Sequence, residues 1–269
     1  MNKKAAIEAF KSYADLYDTE DIKIKLKIDH TYRVADIASR IALSVGENPD
    51  FSWFLGLFHD IGRFEQLTQY GTFKDADSVD HAELGADILF KDGMIESFPT
   101  AFFSMVSQNG VDERLIAETA IRLHNKLELP GDLDETTALY CKLLRDADKV
   151  DIFRVLTEPP YDERNHRIVE NSADMSPARS DVMQCVHEHR CVSRRSDFTP
   201  FEALISQCCM GFELEFPESV KIVREQGYLW KLMNLDVVNE GMSGQLETLR
   251  TKMERAWEDK NTAHIKGVY

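Results

Sequence analysis

Apolar residues recur at helical spacing along most of this chain. From His30, the positions Val34, Ile37, Ala38, Ile41, Ala42 and Val45 form the stripe that one face of a helix buries. His30 stands at the head of that stripe and shares its inward face. A second helix reads from about Phe51 through Phe54, Leu55 and Phe58, and Gly62 is expected to stop it as a left-handed residue past its end. His59 and Asp60 then fall in its last turn. His81, Gly85, Ile88 and Leu89 share a third face, on a helix expected to begin at Asp77 or Ser78. Residues 111–127 place Ile116, Ala120, Leu123 and His124 on one stripe before Pro130-Gly131 interrupts the chain. Residues 135–156 put Leu144, Asp148 and Asp151 on a common face and turn Asp146 away from Asp148.

A polar stretch follows over residues 158–177, and long irregular segments of this kind often act as lids or binding loops. Beyond it, residues 180–194, 200–214, 219–232 and 244–260 read as helices, with Pro217 and Gly241 as punctuation. No run alternates in the manner of a strand, and neither a repeat nor a sustained heptad array is present. The expected fold is all-α, a helical bundle with additional C-terminal helices.

Composition narrows the class without changing that fold. Of 269 residues, 43% are hydrophobic and 29% charged, with 13 Gly and 8 Pro, as in a globular helical protein able to bury a real core. Lys and Arg number 32 against 47 Asp and Glu, a net charge of −15, which disfavours a nucleic-acid polymer as partner. The opening residues meet Glu8, Lys11 and Asp15 before any apolar run develops, so no signal peptide is expected. No stretch approaches the ~18 consecutive apolar residues of a membrane span. The 5 cysteines are odd in number and late in the chain, unlike a disulfide framework. These features lead to a cytoplasmic expectation, with no membrane partner.

The chemistry enters through residues that break the apolar faces. Five helices each bring a polar group inward: His30, the His59-Asp60 pair, His81, His124 and Asp148. One inward histidine is ordinarily a hydrogen-bonded core residue, but four histidines and two aspartates are costly to bury without a common partner. Imidazole and carboxylate together suit divalent transition metals, and an aspartate between two ions can bridge them. A binuclear site explains the set most economically.

The order His30, His59-Asp60, then Asp148 within Arg145-Asp146-Ala147-Asp148-Lys149-Val150-Asp151 resembles the HD-domain phosphohydrolase superfamily. The resemblance covers roughly residues 21–155 and is most specific at Phe58-His59-Asp60-Ile61-Gly62-Arg63. Beyond Thr157 it is silent; the expected organisation is one domain over residues 1–269, with an HD core at about 21–157 and a C-terminal helical extension at about 178–269. His81 and His124 match positions where the binuclear branches of the superfamily place ligands for a second metal. The resemblance therefore implies that His30, His59, Asp60 and Asp148 hold one ion, while Asp60, His81 and His124 hold another. The cofactors would be two divalent ions, drawn from Mn, Fe, Co, Ni or Zn. The Gly-Tyr-Pro stretch of the cyclic-dinucleotide phosphodiesterases of this superfamily is missing, so that specificity is not carried over.

The activity so implied is hydrolysis of a phosphate ester, in a nucleotide or similar small molecule, by a metal-activated hydroxide. Asp60, Lys149 and Arg63 are the expected catalytic residues, the two cations facing the phosphoryl oxygens. Arg145 is equally well read as a surface ion pair, and Asp151 as a group that orients a ligand or anchors Lys149. The rival reading is a di-iron oxygenase of the myo-inositol oxygenase or organophosphonate-cleaving type, which carries the same ligand order. A signalling or scaffold module on a degenerate HD fold ranks last, because no ligand is missing. The oligomeric state is open, a homo-oligomer included. Cys185, His187, His189 and Cys191 alternate like a zinc motif, yet neither a strand nor a helix lets all four converge. They are read as structural, Cys208-Cys209 as packed thiols, and His166 as a solvated loop residue.

Overall fold

The computed structural model describes residues 3–97, 110, 112–193 and 195–265, and among these every regular element is helical. The expected helix-end residues Val111 and Arg194 lie outside the described residues. The chain divides into two compact units, Met1–Asp148 and Lys149–Tyr269.

In the first unit, α1 (Lys3–Ala14), α2 (Ile22–Ser44), α3 (Pro49–Phe58) and α4 (Gly62–Tyr70) build an aromatic core. The helix α1 has no counterpart in the apolar pattern analysed above. It buries Ala6, Phe10 and Ala14. Phe10 meets Tyr32, Phe58 and Phe64 edge-on, with ring centroids 5.5, 6.1 and 5.9 Å away. Capping sets the helix starts: Asp21 accepts from the backbone amides of Lys23 and Ile24 to open α2, and Asn48 does the same for α3. The axes of α2 and α3 approach closely because small residues face each other, and a Cβ on Gly56 would lie 2.6 Å from Ala35 Cα.

Gly62 does not end a helix in the left-handed conformation; it begins α4. Its role is steric, since a Cβ there would lie 2.3 Å from the His81 carbonyl oxygen and 2.6 Å from the Gly85 amide nitrogen. The left-handed stop comes later, at Gly71 with φ 69°. Likewise α5 (His81–Ala86) starts at His81 rather than at Asp77 or Ser78, because Asp80 is the residue whose carboxylate accepts from Ala82 and Glu83 amides. Asp75–Asp77 form a separate short 3-10 turn, and a π-helical turn over Asp87–Lys91 follows α5. The unit continues with α6 (Glu113–Leu123) and most of α7 (Glu135–Val155), whose Asp148 is the last residue of this unit.

The second unit begins at Lys149 and contains α8 (Asp162–Glu170), α9 (Ser180–His187), α10 (Pro200–Cys208), α11 (Pro217–Gln226), α12 (Tyr228–Met233) and α13 (Glu240–Ile265). The expected loop at 158–177 therefore holds a helix. It buries only Asn165 and Ile168, too short an apolar stripe to register against its polar background. The helix expected over 219–232 is split by Gly227, at φ 73°, into α11 and α12. Gly241, expected as a break, lies inside α13, where a Cβ would meet Pro177 at 2.6 Å. Trp257 is fully buried in this unit, stacks at a tilt on Trp230 and donates its indole hydrogen to the Gly211 carbonyl.

Candidate metal centre

Helix ends deliver most of the chemistry. His59 is the residue just past α3 and His124 the one just past α6, where the final carbonyls of a helix have no partner within it. Each histidine uses one of them: His59 donates from Nδ1 to the Gly56 carbonyl at 2.7 Å, and His124 to the Ile121 carbonyl at 2.7 Å. His81 opens α5, where no preceding helical carbonyl exists, and donates from Nδ1 to both oxygens of Asp75, at 2.9 and 2.8 Å. With Nδ1 carrying the donated hydrogen in all three rings, Nε2 is the atom that each ring turns inward.

Those Nε2 atoms converge on carboxylates. Asp60 Oδ1 lies 3.3 Å from His81 Nε2 and 3.7 Å from His124 Nε2. Asp60 Oδ2 lies 3.6 Å from His30 Nε2 and 3.5 Å from His59 Nε2. Asp148 Oδ1 closes the second group at 3.2 Å from His30 Nε2 and 3.5 Å from His59 Nε2. Ligand atoms within each of the sets His30–His59–Asp60, Asp60–His81–His124 and His59–His124–Asp148 all lie within 4.8 Å of one another. The structure thus brings together His30, His59, Asp60, His81, His124 and Asp148. All but Asp148 are buried, and its side chain is 15% exposed.

Acceptors facing acceptors need positive charge between them. His81 Nε2 and His124 Nε2 stand 3.0 Å apart, two lone pairs that repel unless a cation lies nearby. His59 Nε2 is buried and makes no hydrogen bond. These two observations, with a donor set of imidazole nitrogens and carboxylate oxygens, fit divalent metal ions. Burial opposes the charge on Asp60, but the Lys27 ammonium outweighs it and holds the carboxyl well below its usual range. Asp60 is therefore ionised, as a ligand must be.

Two residues of the site went unnoticed in the sequence. Lys27 donates from Nζ to Asp60 Oδ2 at 2.5 Å, with its side chain 12% exposed. It sits three residues before His30, one turn earlier on the same face of α2, a spacing that could have exposed it. Asp75 gave no signal, because it belongs to a polar connection with no periodicity.

The expected cations are placed differently from one another. Arg63 puts Nε 3.5 Å from Asp60 Oδ1 and spends Nη1 on Gln66 Oε1, the Phe73 carbonyl and Asp75 Oδ1. Lys149 pairs with Glu213 at 2.8 Å inside the second unit. Arg145 is buried and donates to the Lys126 and Leu127 carbonyls rather than forming a surface ion pair. Asp151 is fully buried. Among the described residues, no metal-capable group includes Cys185, His187, His189 or Cys191. His189 instead stacks on Phe212 at 5.4 Å.

Compared with known families, residues 28–152 match the HD domain. No curated protein and no solved structure matches the chain. HD domains bind divalent metals and are commonly metal-dependent phosphohydrolases that act on small substrates. No helix among the described residues is long and apolar enough to cross a membrane.

Proposed function

Residues 28–152 match the HD domain, and from that match we propose that the chain is a phosphohydrolase using two divalent metal ions on a nucleotide or similar small phosphate ester. The observation that carries this reading is the position of Asp60, whose two oxygens face different histidines, Oδ1 toward His81 and His124 and Oδ2 toward His30 and His59. A carboxylate so placed suits a bridge between two ions. His30, His59, Asp60 and Asp148 would hold one ion, and Asp60, His81 and His124 the other. Manganese, iron, cobalt, nickel and zinc all suit this donor set. When bound, the ions would acidify a water as nucleophile and neutralise charge on the phosphoryl group.

The protein's own side chains divide the remaining work. Lys27 keeps Asp60 ionised and, as an ammonium beside the cluster, would join the cations that meet a phosphoryl oxygen. Arg63 would hold ligands through Nη1, which is bonded to Asp75 and the Phe73 carbonyl, and would face the phosphoryl group with the rest of its guanidinium. Lys149 would assist only by exchanging Glu213 for the phosphoryl group. The acidic surplus of the chain speaks against a nucleic-acid polymer as substrate. No observation favours the di-iron oxygenase alternative.

The test is phosphate release from a panel of nucleotides and other phosphate esters with added Mn²⁺, comparing wild type with Asp60→Ala. Turnover by wild type that vanishes in the variant is the expected result. A panel without turnover under any of the five metals, or turnover that survives Asp60→Ala, would overturn the proposal.

A further inference from the structure

The histidines of the centre are not held alike. His59 and His124 lean on main-chain carbonyls three residues back, at the C-terminal ends of α3 and α6, where such carbonyls are spare. No side-chain substitution removes those acceptors. His81 stands at the first position of α5, where the spare groups are amides, so the fold offers its Nδ1 hydrogen no main-chain acceptor of that kind. The acceptor is brought in from outside, by Asp75.

Asp75 is itself tightly held. Arg63 Nη1 and Gln66 Nε2 each donate to Asp75 Oδ1 at 2.9 Å, and Asn125 Nδ2 donates to Oδ2 at 3.2 Å. The same two α4 side chains fasten the connection that carries Asp75: Arg63 to the Phe73 carbonyl at 2.6 Å, Gln66 to Ser78 Oγ and the Val79 carbonyl, both at 2.9 Å. Against burial, His81, then Arg63 and Gln66, keep the Asp75 carboxyl below its usual range. A carboxylate on Nδ1 fixes the tautomer and makes Nε2 a stronger donor than a carbonyl would.

We infer that Asp75 is the positioning residue of one half of the centre, the half formed by Asp60 Oδ1, His81 and His124. The other half, His30, His59, Asp60 Oδ2 and Asp148, does not depend on it. The inference rests on the reading of the cluster as a two-metal site, and it predicts that one substitution outside the ligand set separates the two ions.

The experiment titrates metal-free protein with Co²⁺, following heat, bound cobalt per chain and the visible absorption of the bound ion. Wild type is expected to take two ions. Asp75→Asn is expected to keep the first at wild-type affinity and to bind the second about 10–100-fold more weakly. His81→Ala should lose the same ion and spectral component, and His30→Ala the other one. If Asp75→Asn does not fold, as read by circular dichroism, Asn125→Ala removes one donor to Asp75 and should weaken the same ion several-fold. Two ions bound by Asp75→Asn as in wild type, or equal weakening of both, would overturn the inference alone. No change in the second ion in Asn125→Ala, where that variant has to stand in, would do the same. Wild type binding a single ion overturns the two-half arrangement and the inference with it, and wild type binding none overturns the metal reading from which both start.

Discussion

The two units of the chain bury polar groups for different reasons. In Met1–Asp148, His59, Asp60, His81 and His124 turn acceptors toward one another, an arrangement that costs stability until a cation arrives. In Lys149–Tyr269, the buried carboxylate Glu202 meets donors at every turn: both its oxygens accept from Arg179, and it closes a capping box with Thr199 at the start of α10. The cluster leaves charge to be completed from outside; Glu202 has its partners within its own unit. The difference is the physical support for placing the proposed chemistry in the first unit.

That contrast can be broken most severely at Asp60. Asp60→Ala should lower turnover by about 10³-fold or more, because it removes the proposed bridge to both ions at once. Chelation should reproduce the loss and lower the melting temperature, since ions that bind only the folded chain stabilise it. A melting temperature indifferent to chelator would argue that the acceptors of the first unit are satisfied without metal. Lys27→Met is expected to reduce kcat by about 10²-fold and to weaken metal binding, checked by steady-state kinetics beside metal titration.

In the second unit the largest effects should fall on folding alone. Trp257→Ala removes a buried indole together with its hydrogen bond to Gly211 and should cost about 3–5 kcal/mol in chemical denaturation, with bound metal per folded chain unchanged. Glu202→Ala should cost about 1–3 kcal/mol, the loss of the capping box and of the partner to Arg179. The smallest effect touches both units equally. Burial pushes the thiols of Cys141 and Cys208 up to about 12. Each keeps its proton in the folded chain while an unfolded thiol would lose it. Their contribution is therefore complete below the ordinary thiol range and is lost as pH rises toward about 12. Iodoacetamide at pH 8 should leave both unmodified in the native protein and label both in denaturant.

Much of the first unit is readable from residue order because its helices are amphipathic and long. The stripe behind His30 and the one ending at His124 predict α2 and α6, and the inward face of residues 135–156 predicts α7. Elements with a narrow apolar face escape: α8 buries two residues, and α1 buries three between lysines and glutamate. Gly62 shows the other kind of failure. A glycine beside a helix end suggests a left-handed turn, but what it answers to is the backbone of α5, about twenty residues further along the chain. No local pattern carries that information.

The sequence by itself determined the helical class and the His–Asp order, because periodicity and residue type act within a few turns of chain. It determined the chemistry of the donor set for the same reason: imidazole and carboxylate bind what they bind wherever they are placed. Only the tertiary structure decided that the two oxygens of Asp60 look toward different histidines, that Lys27 pairs with Asp60, and that Asp75 reaches His81. Each of those relations joins residues from separate elements across distances of a few ångströms, and helix packing sets such distances where sequence spacing does not.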